Sequence, residues 1–242
     1  MFLNLLFFLL LSPDRAREMY RTSLKLDDVR AVELLARAYE EDKTNQDVTY
    51  RLGYLYHKMN RTREAVDYYS KTVRLNSCHE RALNNLGTIA YQEKKKQEAR
   101  SYYEKAAKCG KDAVTPLYNL ANLESEDGNE EAARSLYERV VRKDPKHARS
   151  RHNLGLLYFR RYNQTGSDVD LEAAEKQLKE AVRISPSDPL TLFNFALVLE
   201  AGQKTDEAIR VLKKADSLSS GKTIQPRIRE ALARLKGRAS KP

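Results

Sequence analysis

The sequence predicts an all-α fold, a stack of helix pairs that builds a solenoid. Three observations carry this. Arg81 to Pro145 matches itself when slid by 34 residues: Asn85-Leu86-Gly87 falls on Asn119-Leu120-Ala121, Ala99 on Ala133, Tyr103 on Tyr137 and Ala106 on Val140. A fixed period of this size marks a stacked-repeat protein, and it accommodates two helices and two short turns. The 242 residues contain no Trp, 9 Gly and 7 Pro, and are rich in Ala, Leu, Glu, Lys and Arg, the residues that favour helix. Finally, a small residue follows a large one at one register position: Leu52-Gly53, Leu86-Gly87, Leu120-Ala121, Leu154-Gly155 and Phe195-Ala196. Gly inside a helix costs about 1 kcal/mol against Ala. Three such glycines in phase therefore imply that two helices approach closely there.

In chain order, Met1 to Leu11 is a hydrophobic leader, MFLNLLFFLLL. It is too short to span a bilayer, which needs about 20 apolar residues. It fits the core of a secretory signal, although no Lys or Arg precedes it and Ser12-Pro13-Asp14 is a poor cleavage site. It equally fits the stump of a transmembrane helix, or a leader packed on the first repeat. Pro13 to Leu26 reads as a helix with apolar or small residues at Ala16, Met19, Tyr20, Ser23 and Leu24, and Asp28 to Glu40 reads as its partner.

The solenoid is expected over residues 12–222. Its repeats are a degenerate 12–45, then 46–79, 80–113, 114–147, 148–188 and 189–222. Ala65, Ala99, Ala133 and Ala208 stand twelve residues after the small notch residue, and Tyr69, Tyr103, Tyr137 and Leu212 four further on. Small against small lets the two helices of a pair close, with the large residues filling the layer between repeats. Gly155 to Ala174 spans 19 residues instead of 12. The extra segment Asn163 to Asp170 is polar and turn-rich, so a longer loop is expected there. Gln225 to Lys236 reads as an amphipathic last helix with Ile228, Leu232 and Leu235 on one face. Residues 223–242 are thus a basic cap and tail.

Leu-Gly-x-x-Tyr in the first helix (Leu52-Gly53 with Tyr56, Leu154-Gly155 with Tyr158), followed by Ala, a large residue, Ala and Pro145 or Pro186, resembles the tetratricopeptide repeat family. Lys111 and Ser77 stand where that family usually has Pro. The resemblance implies a right-handed superhelix of antiparallel helix pairs whose concave groove is lined by the first helix of each pair.

Net charge is +10. From Lys204 to Pro242 there are 11 Lys/Arg and 4 Asp/Glu, so the body is near neutral and the tail basic. A basic tail can meet nucleic acid or an acidic surface; a solvated last helix has the same composition, and no nucleic-acid partner is expected. Two cysteines, Cys78 and Cys109, make no framework, and the compartment is not read from them. Two glycosylation sequons, Asn60-Arg61-Thr62 and Asn163-Gln164-Thr165, compare with about one expected by chance for so loose a motif. A cytoplasmic setting is expected for the repeat body, and a membrane or secretory lumen if residues 1–11 are a targeting segment.

No catalytic constellation stands out. The four histidines never pair at i,i+4, and Gly221-Lys222-Thr223 lacks the first Gly of a phosphate loop, Asp216 standing in its place. The chain is read as a non-enzyme that needs no cofactor and no metal. One constellation does suggest binding. Asn85, Asn119, Asn153 and Asn194 directly precede the notch, at spacings of 34, 34 and 41. At 100° per residue this position points away from the second helix of the pair. Asn is a poor mid-helix residue, so four in phase suggest use. A similar ladder holds the backbone of a bound peptide in some members of the family. Tyr50, Arg51, Tyr54, Arg81, Tyr118, Asn122, Arg149, His152 and Phe193 are expected on the same face, with Asp47 its only acid. The expected function is a scaffold that binds an extended peptide. The alternative is the repeat portion of a membrane-embedded O-mannosyltransferase, which this layout also resembles.

Overall fold

The computed structural model describes residues 13–111 and 113–239. The leader at 1–11, its membrane readings and the last tail residues lie outside the described residues. Thirteen helices form among the described residues, and no strand. The chain divides into two compact units, residues 1–123 and 124–242.

The first unit holds α1 (Pro13–Ser23), α2 (Asp28–Glu41), α3 (Gln46–Lys58), α4 (Thr62–Leu75), α5 (Glu80–Gln92), α6 (Lys96–Cys109) and most of α7 (Val114–Glu126). Helices α1/α2, α3/α4 and α5/α6 pack as pairs, and each pair stacks on the next. Caps set the starts. The Asn45 side chain accepts the N–H groups of Asp47 and Val48, and the His79 Nδ1 accepts that of Ala82, which satisfies donors that the first turn leaves open. The turn between the first and second helix uses a left-handed residue, at φ 58° for Asn60 and 62° for Lys94. Ala31, Leu35, Leu52, Ala65 and Tyr69 are completely buried in the core of this unit.

The notch works within a pair. A Cβ on Gly53 would lie 2.7 Å from the Tyr69 ring, and one on Gly87 would lie 2.7 Å from the Tyr103 ring and 3.3 Å from the Ala99 carbonyl. The large residue, expected between repeats, therefore lies directly across the notch glycine of its own pair. The Ala four residues earlier matters through its backbone.

The two cysteines, expected to make no framework, are instead joined: Cys78 bonds Cys109, with Cα atoms 5.1 Å apart. Cys78 lies in the turn between α4 and α5, and Cys109 ends α6. Their separation of 31 residues falls short of the repeat, so periodicity gives no hint of the bond. Stacking brings that turn beside the end of the next pair's second helix.

The second unit holds α8 (Glu130–Lys143), α9 (Ala148–Thr165), α10 (Asp168–Ile184), α11 (Pro189–Ala201), α12 (Thr205–Leu218) and α13 (Gln225–Ala239). Here α9/α10 and α11/α12 pair, and α13 packs on α12 through buried Ile228 and Leu235. The expected long loop in 163–170 is absent. The first helix of that pair has 18 residues and the second 17, against 13 and 14 in α11 and α12. Only Gly166 and Ser167 connect them, with Gly166 at φ 71°. Seven extra residues make about two helical turns. Shared between antiparallel helices, they lengthen both and keep the pair in phase.

Candidate functional site

The residues of the first unit that the sequence places on the binding face come from α3, α5 and α7. Tyr50 lies 5.9 Å from the Tyr69 ring and 4.8 Å from the His79 ring, centroid to centroid. Burial raises its phenol, while Arg81, Asn85 and Arg51 act in the opposite direction. The Arg51 guanidinium sits 5.2 Å from the centre of the Tyr54 ring, within cation–π range. Its Nε is buried and makes no hydrogen bond among the described residues. Tyr54 is 41% exposed, and Arg81 and Asp47 are exposed. Tyr50, Arg51, Tyr54, Arg81 and Asn85 thus converge on one patch, with two guanidinium groups and one nearby acid.

The asparagine ladder has an internal task. Asn85 donates from Nδ2 to the Tyr69 hydroxyl at 2.9 Å, and in the second unit Asn153 donates to the Tyr137 hydroxyl at 3.0 Å. Both bonds span 16 residues, from the second helix of one pair to the first helix of the next. Burial pushes the Tyr69 phenol well above its ordinary range, so it stays neutral. Asn119 instead donates to Asn84 Oδ1 at 2.9 Å. Tyr103, which occupies the register position of Tyr69, directs its hydroxyl to Thr88 at 3.4 Å. Asn84 was not among the residues expected from the sequence, although it precedes the ladder position by one and shares the 34-residue register of Tyr50, Tyr118 and His152, which were.

Asn194 meets a different partner because its register offers no tyrosine: Leu178 takes that place, 2.7 Å from where a Gly155 Cβ would lie. The Asn194 amide lies 3.3 Å from His152 Nε2, while His152 Nδ1 lies 2.8 Å from the Thr191 hydroxyl. That hydroxyl donates to Asp188, the cap of α11. With Thr191 donating onward, His152 carries its proton on Nδ1 and accepts from Asn194 on Nε2. Burial lowers the His152 pKa, with Asp188 opposing, and the neutral ring fits this chain.

Arg149 is exposed, while Tyr118 and Asn122 are half-buried and each has a partner. Phe193, expected on the open face, is only 4% exposed. Arg227 of α13 lies over its ring, 5.2 Å from the centroid. The last helix covers the face that Phe193 would otherwise present, which the sequence of α11 alone could not disclose. Among the described residues no cluster of three or more His, Cys, Asp or Glu could hold a metal ion, and no helix is long and apolar enough to cross a membrane.

Comparison with known proteins agrees with this architecture. The structure of PilF of Pseudomonas aeruginosa is similar, with a TM-score of 0.77 at 15% identity over 90% of this chain and 97% of that one. YrrB, described as a TPR protein with an unusual peptide-binding site, gives 0.65 at 18% identity over 82% and 99%. Yeast Tom70 gives 0.64 at 15% identity over 93% of this chain and 47% of its own. At such identities the likeness concerns the fold. No curated protein matches the chain in sequence. The family model described as tetratricopeptide repeat matches residues 50–114 and 118–189, more than half of the sequence. With its paired helices, its notch and its period, the chain belongs to the tetratricopeptide repeat family.

Proposed function

We propose that this chain is a non-catalytic scaffold that holds an extended peptide, neutral or acidic, against its first-of-pair helices. The repeat fold is built for protein interaction, and proteins of the same fold such as YrrB are described by a peptide-binding site, which supports a peptide as ligand. The single observation that carries the reading is the patch at Arg51. A buried donor without an acceptor costs free energy and needs an explanation. Arg51 Nε is such a donor, and it lies beside the exposed ring of Tyr54. If the Arg51 side chain turns outward, a peptide carbonyl or carboxylate would satisfy that nitrogen, with Tyr50 and Tyr54 as aromatic anchors of the kind found at hot spots and Arg81 selecting against basic segments.

The ladder contributes what its internal bonds leave over. An amide has two N–H donors and a carbonyl acceptor, and one N–H of Asn85 and of Asn119 is used inside the unit. In this reading the Asn85 carbonyl, and the other N–H and the carbonyl of Asn119, face a peptide backbone, with Tyr118 and Asn122 beside them, while the N–H side of Asn85 also serves Tyr50. In residues 124–242 the same role falls to Arg149, Asn153 and Asn194.

The test selects binders from a random peptide library on the full chain and measures their affinity for Tyr54→Ala/Arg81→Glu. Both residues are exposed, so folding is spared. Affinity is expected to fall at least about tenfold, a loss of about 1.4 kcal/mol, with helicity and melting unchanged. Unchanged affinity would overturn the groove reading.

A further inference from the structure

Every asparagine among the described residues except two is held by a partner. Asn45 caps a helix, Asn76 accepts from the Cys78 N–H and donates to Gln46, and the ladder residues bond across pairs; Asn84, Asn122 and Asn129 have partners too. The exceptions are Asn60 and Asn163, both exposed. These are the two asparagines that open an Asn-X-Thr sequence.

Neither position demands asparagine for its backbone. Asn60 has φ 58°, but the matching turns hold Lys94 at 62° and Gln203 at 59°, so other residues serve there. Asn163 lies in the last turn of α9, within the extension particular to that pair. Both stand at the junction of the first and second helix of their pairs. An exposed Asn-X-Thr with no structural employment is what an acceptor for an N-linked glycan looks like.

The disulfide is an independent observation of the same kind. It consumes both cysteines of the chain. Such bonds form and persist in oxidising compartments, the same compartments in which secreted chains are glycosylated.

We propose that Asn60 and Asn163 are N-glycosylation sites, and that the chain folds in the oxidising lumen where such glycans are added. In the transfer, each amide Nδ2 bonds to the anomeric carbon of an oligosaccharide carried on a lipid diphosphate. The bond from that carbon to the diphosphate oxygen breaks, the lipid diphosphate leaves with the electron pair, and the amide gives up one proton. The Thr165 hydroxyl is tied to the Arg161 carbonyl in the folded helix, so transfer to Asn163 precedes closure of that turn. The cysteine pair passes its two protons and two electrons to a disulfide oxidant of the same lumen. None of this depends on the groove reading.

The test uses protein purified from its native cells with thiols blocked at lysis. Digestion without reduction, then peptide-N-glycosidase in heavy-oxygen water, is followed by mass spectrometry. Heavy-oxygen aspartate is expected at 60 and 163, and the Cys78 and Cys109 peptides should emerge joined. Asn60→Gln and Asn163→Gln, expressed in the same cells, should each lose one step in gel mobility, as should Thr62→Ala and Thr165→Ala, which keep the asparagines. Unmodified Asn60 and Asn163 peptides would overturn the sites, and a glycan on one alone would overturn the other. Blocked free thiols at Cys78 and Cys109 would overturn the oxidising lumen.

Discussion

The Asn85 amide donates to the hydroxyl of Tyr69, a side chain with no exposed surface, at 2.9 Å. The bond fastens one helix pair to the next. Its geometry is available because Gly53 lets the Tyr69 ring lie flat against its own pair, which delivers the hydroxyl to the following repeat. The notch and the ladder are therefore two ends of one packing device.

The first prediction separates that device from binding. Asn85→Ala leaves the Tyr69 hydroxyl buried and unpaired, at a cost of about 1–3 kcal/mol. Tyr69→Phe removes the need for a partner. In the Tyr69→Phe background, Asn85→Ala should cost much less than in the wild type. Denaturant unfolding of the four proteins measures the coupling; equal costs in both backgrounds would show that the bond contributes nothing.

The second concerns Gly87. Any Cβ there meets the Tyr103 ring at 2.7 Å, and overpacking typically costs about 1–3 kcal/mol. Gly87→Ala should lower the melting temperature in spite of the better helix propensity of Ala, and Gly87→Leu should lower it further. A stabilised Gly87→Ala would mean that Tyr103 can move aside freely.

The third is a pH dependence set by histidine caps. His79 and His147 accept the N–H groups of Ala82 and Ser150 through Nδ1, a role open only to the neutral ring. Burial lowers the pKa of both below 6.5. The unfolded chain therefore binds protons first as the pH falls. The stability contributed is full above the ordinary histidine value and is lost as pH drops from there through the folded values. Melting temperature should fall between about pH 7.5 and about pH 5.5, above the range in which ordinary carboxylates titrate. His79→Asn with His147→Asn, which keeps an N-capping side chain, should make the curve shallower and leave the share that buried His152 contributes. A flat wild-type profile would remove the neutral caps from the account.

What the sequence made legible follows from what repeats. The period, the Leu-Gly notch and the alternation of small and large residues are local and recur, so helix pairing could be read from Gly53, Gly87 and Gly155 alone. Features that depend on one repeat touching another were hidden. Cys78 and Cys109 sit at different register positions, and the partner of Asn119 is Asn84 instead of a tyrosine. Phe193 occupies a groove position by its register, yet Arg227 lies over it. Asn163 to Asp170 has a turn-like composition, but two whole turns of helix could be added to a pair already packed on both sides, and packing outweighed propensity.

The Cys78–Cys109 bond also has a mechanical meaning. It closes a loop of 31 residues in sequence separation that contains α5 and α6. When the chain is drawn out from its ends, that segment lies outside the load path. At about 3.4 Å per extended residue, roughly 100 Å of contour length stays hidden until the bond is reduced. A pulled molecule would lengthen in two regimes, one set by helices peeling from the stack and a later one unlocked only by a thiol.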